Sequence, residues 1–303
     1  MDFIPKRLDK FLGRAFPFHS RTGWKQLIEQ CEVLVNSQAK RGSYALGPGD
    51  EIFYFQPAEK EPEVNTTIHV VWEKDGVAVV CKPPNLPMHE GGAYKHNTFH
   101  RVLHENLGPE WFAIHRLDRE TSGIVICANH KEARNALTAQ MLAHGIKKTY
   151  YAIAMGNTDK TLWLVDEPIG QATNTLFRLK QWVVPHGATA QTRFQVLDQK
   201  PGYTLLEVSP LTGRTHQIRV HAAWQDLPLV GDKKYHPDET VYLEYAEQGF
   251  TDRVKEACLY ERLCLHAAKI RFTDPNTGEE VFVETPLPDD MRKIWDELPS
   301  EGR

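Results

Sequence analysis

One polar segment constrains this chain most, because it runs directly into a strand that has to be buried. Residues 115–123 (HRLDRETSG) precede residues 124–127 (IVIC). Four consecutive apolar residues, three of them β-branched, are typical of a strand inside a sheet. Charged side chains beside such a strand cost free energy unless they are paired or solvated. The pattern predicts a site built on Asp118 between Arg116 and Arg119, or else a salt-bridged surface loop.

Two other polar segments are candidates for the same site. Residues 211–221 (LTGRTHQIRVH) predict a helix that is capped by Thr215 and carries His216 and Arg219 on one face. The histidines of this segment are five residues apart, so they do not form the ligand pair of a zinc site. A helical arginine is more often solvated than functional, and both interpretations stay open. Residues 81–92 (CKPPNLPMHEGG) are typical of a loop that wraps a ligand or of a long crossover.

Strands outnumber helices in the larger part of the chain. Apolar alternation predicts strands near 68–72, 77–81, 149–155, 189–196, 203–209, 263–272 and 280–284. A capping box of Asn129 and Glu132 predicts a helix that ends at His144. Many of the strands are joined by hairpins, so the predicted fold class is α+β with a mixed or antiparallel sheet. The acidic segment 237–262 is predicted to be irregular and is a candidate insertion.

The first 57 residues predict a separate, small α+β domain. Apolar residues at helical spacing begin at Leu8 and again after Ser20, which is the predicted N-cap of the second helix. A proline- and charge-rich stretch predicts a linker at 58–66, and a second domain follows at 67–303. Between positions 5 and 41, eight Lys and Arg residues stand against three Asp and Glu residues, a local charge of +5. This excess favours an anionic partner.

Composition and missing motifs exclude several classes of protein. The chain is 41% hydrophobic and 25% charged with a net charge of −4, which is ordinary for a globular protein and argues against a general nucleic-acid coat. It has no apolar run of the ~18 residues that a membrane span needs, and no signal-peptide core. Its five cysteines are scattered, and no Walker, Rossmann or Gly-x-Ser-x-Gly motif occurs. We expect a reduced, cytoplasmic protein without membrane contact, metal or nucleotide cofactor.

Taken together, these segments resemble the RluA family of RNA pseudouridine synthases. Residues 115–123 match the signature of that family. The other matching motifs occur in the family's order and are Lys82-Pro83 with His89, 148–150 (KTY), 188–192 (ATAQT), 212–221, 265–267 (LHA) and 286–288 (PLP). The first domain is similar to the RNA-binding domain of ribosomal protein S4 through residues 7–12, 20–36 and 49–50.

The resemblance implies an α+β catalytic domain with an eight-stranded mixed sheet and an active-site cleft, beside the small S4-like domain. It implies an enzyme that isomerises uridine within RNA and needs no cofactor, with large-subunit ribosomal RNA as the favoured substrate, and we expect a monomer. Two alternatives stay open: a synthase that acts on transfer RNA, and a non-catalytic RNA-binding or ribosome-assembly factor. A nucleic-acid glycosylase is more distant, although a carboxylate beside an anomeric carbon also suits that reaction.

The resemblance also implies roles for single residues. Asp118 is the candidate nucleophile, whose carboxylate either attacks the sugar or the base or promotes loss of a proton from the sugar. Arg219 is the buried cation that keeps this carboxylate ionised. Tyr150 stacks on the uracil and accepts a proton late in the reaction. Arg116 enters the space that the flipped nucleotide leaves, or holds that nucleotide. The other implied substrate- or RNA-binding residues are His115, Lys82, Arg119, Arg214, His216, Ile218 and Val220 in the second domain, and Arg21 and Lys25 in the first.

Overall fold

The computed structural model describes residues 6–16, 19–55, 61–177 and 180–300. The chain divides into two units, Met1–Glu61 and Pro62–Arg303. Residues 58–60 of the predicted linker lie outside the described residues, and residues 61–66 form neither helix nor strand. In the described part of the chain, no helix is long and apolar enough to cross a membrane.

Two short amphipathic helices enclose the core of the first unit. Its elements in chain order are β1 (Lys6–Arg7), α1 (Leu8–Ala15), α2 (Arg21–Glu29), β2 (Val33–Val35), β3 (Gln38–Ala39), β4 (Ala45–Leu46) and β5 (Ile52–Tyr54). β2 pairs antiparallel with β3 and β5, and β1 pairs with β4. Ser20 caps α2 as predicted, because its hydroxyl oxygen accepts the Gly23 N–H at 3.1 Å. Trp24 fills the centre of the core and is buried.

One mixed sheet organises the second unit. Across the sheet the strands are β11 (Leu162–Asp166), β14 (Gln191–Lys200), β15 (Tyr203–Pro210), β10 (Lys147–Met155), β16 (Leu265–Thr273), β9 (Ser122–Ala128), β7 (Val77–Lys82) and β6 (His69–Lys74). β17 (Glu280–Glu284) joins β16, β8 (Phe112–Ala113) joins β9, and β12 (Ile169–Gln171) pairs separately with β13 (Gln181–Val183). β9 and β16 run parallel, whereas the other pairs are antiparallel. The predicted mixed sheet is confirmed: eight strands follow one another across it, and β17 and β8 bring the total to ten.

β9 carries the apolar residues 124–127 because it is buried on both faces. Val125 and Cys127 pack into the larger core on one face, and Ile124 and Ile126 pack into a second core on the other. The helices of the second unit, in chain order, are α3 (Phe99–Leu107), α4 (Lys131–Leu142), α5 (Gln217–Trp224), α6 (Thr240–Gln248), α7 (Asp252–Cys258) and α8 (Asp289–Glu297). A strand with two covered faces needs a continuous apolar run rather than alternation.

Three local predictions in this unit are wrong. The cap of α4 is His130, whose side chain accepts the Ala133 N–H, and not Asn129. α5 begins after His216, which has a left-handed backbone with a φ of 57°, so Thr215 does not cap it. Residues 237–262 are not irregular, because α6 and α7 lie in this segment and share a small core of their own.

Candidate active site

A row of paired residues crosses four neighbouring strands below the site. Lys82 pairs with Gly123, Gly123 pairs with Ala267, and Ala267 pairs with Tyr150. Gly123 has a φ of 118°, and a Cβ atom there would collide with the Ala267 carbonyl oxygen. Only glycine therefore lets β16 pair so closely with the start of β9. This pairing brings the loop that ends at Gly123 next to Tyr150, which lies 27 residues further along the chain.

A cavity of ≈ 560 Å³ lies between this loop, β10 and the start of α5. Asp118, Tyr150 and Arg219 all line it. The structure thus brings together the three residues that the sequence predicted to be catalytic. A single cavity lined by a carboxylate, a phenol and a guanidinium can hold a polar aromatic group such as a nucleobase.

Arg219 is held rigidly from one side and faces Asp118 on the other. Its Nε and Nη2 atoms each donate to a carboxylate oxygen of Asp232 at 2.7 Å. Its Nη1 atom lies 3.6 Å from Oδ2 of Asp118. The Arg219 side chain is 3% exposed, whereas that of Asp118 is 26% exposed, so the nucleophile candidate is the more accessible of the two. A bidentate pair fixes the plane of the guanidinium, so the cation beside Asp118 is pre-oriented.

Glu120 and Lys233 extend this network on the buried side. Glu120 accepts from Nη2 of Arg219 at 3.3 Å, and Nζ of Lys233 lies 3.1 Å from its other carboxylate oxygen. Burial alone would raise the pKa of Glu120, but Lys233, Arg219 and Arg119 outweigh it and lower that pKa to about 2. Glu120 is therefore ionised at neutral pH, and it shares Arg219 with Asp232 and Asp118.

Tyr150 is buried and presents its ring to the cavity. Its relative exposure is 7%, and its ring also belongs to the larger core. Burial raises the pKa of Tyr150, and the charge on Asp118 raises it further. Its hydroxyl makes no hydrogen bond with any residue that the structure describes. The phenol is thus neutral at pH 7, and its apolar face is available for stacking on a base.

His216 lies beside Asp118 and is neutral at pH 7. Its Nδ1 atom is 2.8 Å from the Tyr235 hydroxyl, and its Nε2 atom is 4.0 Å from Oδ1 of Asp118. Burial lowers the pKa of His216 to about 4. The positive charge of Arg219 lowers this pKa as well, whereas the negative charge of Asp118 raises it. A neutral imidazole here offers a hydrogen-bonding group to the substrate without competing with Arg219 for the carboxylate.

This lowered pKa predicts a loss of stability in acid. Between pH ~6.5 and pH ~4 the unfolded chain binds a proton at His216 that the folded chain does not, so the free energy of unfolding falls as the pH falls. The contribution is at most about 1.4 kcal/mol per pH unit. We expect His216→Gln to flatten the slope by up to that amount in urea unfolding curves between pH 7 and pH 5. An unchanged slope in His216→Gln would contradict the prediction.

Lys82 is a structural residue rather than a surface cation. It is fully buried, and its ammonium donates to the carbonyl oxygens of Pro83, Leu86 and Arg119 at 2.8 to 3.0 Å. Its predicted contact with RNA is therefore wrong, because the proline-rich loop closes over the side chain. Through Arg119 the ammonium instead fixes the loop that carries Asp118.

His115 and Ile218 line the cavity, whereas Val220 does not. Nε2 of His115 accepts the Ile126 N–H at 3.2 Å, and burial lowers the pKa of this histidine to about 3. Val220 is fully buried in a separate cluster with Tyr235, so its predicted place in the wall is wrong. Two residues along a helix turn the side chain by roughly 200°, which places Val220 opposite Ile218.

Three arginines lie at the rim of the site. Arg116 is exposed and lines the cavity. Arg119 donates from Nη1 to the Tyr94 hydroxyl at 3.2 Å, and Arg214 donates from Nε to the Thr189 carbonyl oxygen at 2.9 Å. The last two are thereby oriented by neighbouring loops, while Arg116 makes no ion pair with any described residue. Arg116 is the rim cation with the greatest freedom to meet a phosphate.

Arg21 and Lys25, on α2 of the first unit, are exposed but not free of partners. Arg21 donates to Asp9 at 2.8 Å, and Lys25 lies 3.8 Å from Glu29. Burial alone would raise the pKa of Asp9, but hydrogen bonds from Arg7 and Arg21 lower it to about 2. Arg21 is therefore anchored at the start of α2. The surface ion pair between Lys25 and Glu29 costs little free energy to break.

Two residues that build the site were not predicted from the sequence. Asp232 was not singled out, although it holds Arg219. Gln217 is buried, and its side-chain oxygen accepts from the Thr212 hydroxyl and from the Arg214 N–H. Its side-chain nitrogen donates to the carbonyl oxygen of Gln191 on β14. The Gly231-Asp232 pair was the available signal, because a Cβ at Gly231 would collide with the Arg262 carbonyl oxygen. In the residues that the structure describes, no group of three His, Cys, Asp or Glu side chains could hold a metal ion.

Known proteins resemble this chain over nearly its whole length. Residues 76–224 match the RNA pseudouridylate synthase family, and residues 6–52 match the S4 domain. The uncharacterized RNA pseudouridine synthase YlyB of Bacillus subtilis is 30% identical over 310 residues, which cover 98% of this chain and 95% of that protein. Ribosomal large subunit pseudouridine synthase C of Escherichia coli O157:H7 is 30% identical, with 98% and 94% covered. Ribosomal large subunit pseudouridine synthase D of Nitrosomonas europaea is 31% identical, with 95% and 83% covered.

Two solved human structures have a similar fold. RNA pseudouridylate synthase domain containing 4 aligns with a TM-score of 0.58 at 23% identity, over 76% of this chain and 94% of that chain. Domain containing 1 aligns with a TM-score of 0.57 at 20% identity, over 80% and 100%. With the sequence matches, these findings show that the chain belongs to the RNA pseudouridine synthase family, as its motifs predicted. It is an isomerase that acts on RNA and carries an S4 domain at its N-terminus.

Proposed function

We propose that this enzyme converts one or more uridines of large-subunit ribosomal RNA to pseudouridine, as a cytoplasmic monomer. The relatives named for the ribosomal large subunit match almost the full length of the chain, including both domains. We also propose that the S4-like domain, linker and catalytic domain occupy residues 1–57, 58–66 and 67–303.

The observation that carries the proposal is the arrangement of Asp118, Tyr150 and Arg219 around one cavity. The target uridine has to leave the base stack before its glycosidic bond is accessible. Asp118 then lies at the reacting centre, and Arg219 stabilises its negative charge throughout. Tyr150 holds the uracil while the bond between N1 and the sugar C1′ breaks and the ring turns. C5 then bonds to C1′ and releases its proton, and N1 takes up a proton, so the composition is unchanged. Arg116, at the rim, holds the displaced backbone or fills the vacated stack.

The test is a comparison of unmodified transcripts of large-subunit ribosomal RNA and of transfer RNA. After incubation with the enzyme, pseudouridines are mapped by chemical labelling, and RNA fragments are weighed by mass spectrometry. We expect new pseudouridine at one or a few ribosomal positions with no change in mass, since isomerisation conserves every atom. Modification of transfer RNA alone would support the tRNA alternative, and loss of a base would indicate a glycosylase. Binding without modification would indicate an assembly factor.

We propose that the first domain tethers the enzyme to its RNA. Its exposed cations include Lys10, Arg14, Lys25 and Arg41. Such side chains bind phosphates without reading sequence, and they release counterions when they do. The domain would then hold a structured RNA while the catalytic domain reaches the uridine.

This tether predicts a salt-dependent contribution from Lys25. We expect Lys25→Gln to weaken binding to the ribosomal transcript at low salt, and to reduce the slope of log K against log salt by about one. The matched control is Lys293→Gln, because Lys293 also lies 3.8 Å from a glutamate one helical turn away. Filter binding between 50 and 300 mM salt measures both slopes. Equal slopes in the two variants would contradict a role for Lys25 in RNA binding.

A further inference from the structure

A second cavity adjoins the active site and has no role in the mechanism above. Its volume is ≈ 740 Å³, and it shares Arg116, Asp118, His216 and Arg219 with the first cavity. Its far wall comes from the segment 237–262, the part of the chain that the motifs left without a function. A group that extends from Asp118 away from Tyr150 enters this space.

The far wall is built to hold its shape. Val241, Val254 and Cys258 form a core between α6 and α7. Glu239 accepts from Nζ of Lys180 at 2.6 Å, and Nζ of Lys233 donates to the Glu261 carbonyl oxygen at 2.7 Å. The segment is thus tied to the chain on both sides of the cavity. Side chains on α6 are presented by a rigid element rather than by a loose loop.

Aromatic rings and cations alternate along this wall. Tyr242 and Tyr245 of α6 line the cavity and are half-buried. Nζ of Lys234 lies 5.1 Å from the centre of the Tyr242 ring, and Nζ of Lys233 lies 5.0 Å from that of Tyr245. The Tyr242 ring also packs against Phe177, with the ring centres 4.3 Å apart, so a stacked base has to take the place of the Lys234 ammonium over the ring. Tyr94 lines the cavity too and has the Arg119 guanidinium 5.8 Å from its ring centre. Interleaved rings and cations are the lining that single-stranded RNA requires.

Two cations of this cavity have no acidic partner among the described residues, and a third, Arg119, lies 4.0 Å from Glu120. Glu120 is paired with Lys233 and Arg219, so none of these three offers a full charge to a ligand. Arg116 and Lys234 form no ion pair with any carboxylate in the described part of the chain. A phosphate that enters the cavity would therefore meet Arg116 and Lys234 first.

We propose that the second cavity binds the nucleotide next to the target uridine, with its base on Tyr242 and its phosphate between Arg116 and Lys234. This inference rests on the proposed function, because it needs a uridine seated at Asp118. The strand has to continue out of the first cavity, and the shared residues place the second cavity directly at that exit. Segment 237–262 then selects RNA targets by accepting an unstacked neighbour, and Tyr242 is a specificity-determining residue.

The test combines protein variants with altered RNA. The substrate is a stem–loop that contains the ribosomal uridine mapped above, either intact or with the base removed from the 5′ or the 3′ neighbour. We expect Tyr242→Leu to raise KM on the intact RNA about tenfold, as loss of one stacked base does, with kcat changed less than twofold. Removing the stacked base should cost the native enzyme a similar factor, and Tyr242→Leu should lose nothing further on that RNA.

Two controls separate binding from folding. Tyr151→Leu removes another tyrosine that has a lysine over its ring, Lys269 at 5.5 Å, but lies outside both cavities, and it should keep the native KM. Tyr242→Phe keeps the ring and should restore most of the affinity. If Tyr242→Leu raises KM by the same factor on intact RNA and on both abasic RNAs, Tyr242 has only a structural role and the inference fails. If the native enzyme isomerises no uridine at all, the proposed function fails instead.

Discussion

We expect Asp118→Asn and Asp118→Ala to lose pseudouridine formation by at least about 10⁴-fold, the scale seen when an enzyme loses its nucleophile. The carboxylate is the only acidic group of the three residues that meet at the cavity, and Arg219 faces it at 3.6 Å. An amide of the same shape cannot attack the substrate or carry the negative charge that Arg219 stabilises. Tritium release from RNA labelled at uracil measures the rate.

RNA binding should survive this change, because the predicted phosphate contacts lie at the rim and on the first domain. We expect Kd for the ribosomal transcript to change less than threefold in Asp118→Asn. Asp198→Asn, an exposed residue on β14 outside both cavities, should retain full activity. An Asp118→Ala protein that turns over within tenfold of the native rate would end the assignment of the nucleophile.

Arg219→Gln should destabilise the protein by about 3–5 kcal/mol, because it leaves buried carboxylates without their shared cation. Asp232 has no exposed side-chain surface, and Glu120 keeps only Lys233 and the more distant Arg119. Urea unfolding of the variant at neutral pH measures the change in the free energy of unfolding. Arg271→Gln removes an exposed arginine that pairs with Glu280 at 3.0 Å, and it should cost less than about 1 kcal/mol.

Arg219→Lys separates the role in catalysis from the role in folding. A lysine keeps the positive charge but cannot form the bidentate pair with Asp232 and face Asp118 as well. We therefore expect a folded protein whose kcat falls about 100-fold or more, as when one oriented donor to a developing charge is lost. Native kcat in Arg219→Lys would mean that the orientation of the cation beside Asp118 is unimportant.

Local patterns predicted most of the sheet, because strand residues reveal their environment within a few positions. The strand predicted at 280–284 matches β17, and those at 77–81 and 203–209 match β7 and β15 within one residue. Short elements that depend on distant partners were not predicted. β12 and β13 have three residues each and pair with each other across the loop between them. The sequence pattern did not predict α6 and α7, because each helix has only a narrow apolar face and the two faces pack against each other.

The polar motifs predicted which residues meet at the site, but not how each side chain is used. Lys82 looked like a surface cation between prolines, yet three carbonyl oxygens surround its ammonium. The alternative of a solvated helical arginine at position 219 is wrong, since that side chain is buried between Asp232 and Glu120. Burial and pairing depend on contacts between segments that lie more than a hundred residues apart, as Glu120 and Lys233 do, and a local pattern cannot specify such contacts.

The sequence by itself determined the fold class and the family, and it supplied Asp118 as the candidate for the reactive carboxylate, because motif spacing and apolar runs are properties of neighbouring residues. The tertiary structure alone decided that Asp232 orients Arg219 and that His216 is neutral. It also decided that segment 237–262 walls a second cavity beside Asp118. Charge states and cavity walls arise from desolvation and from close packing, and both exist only once distant segments have come together.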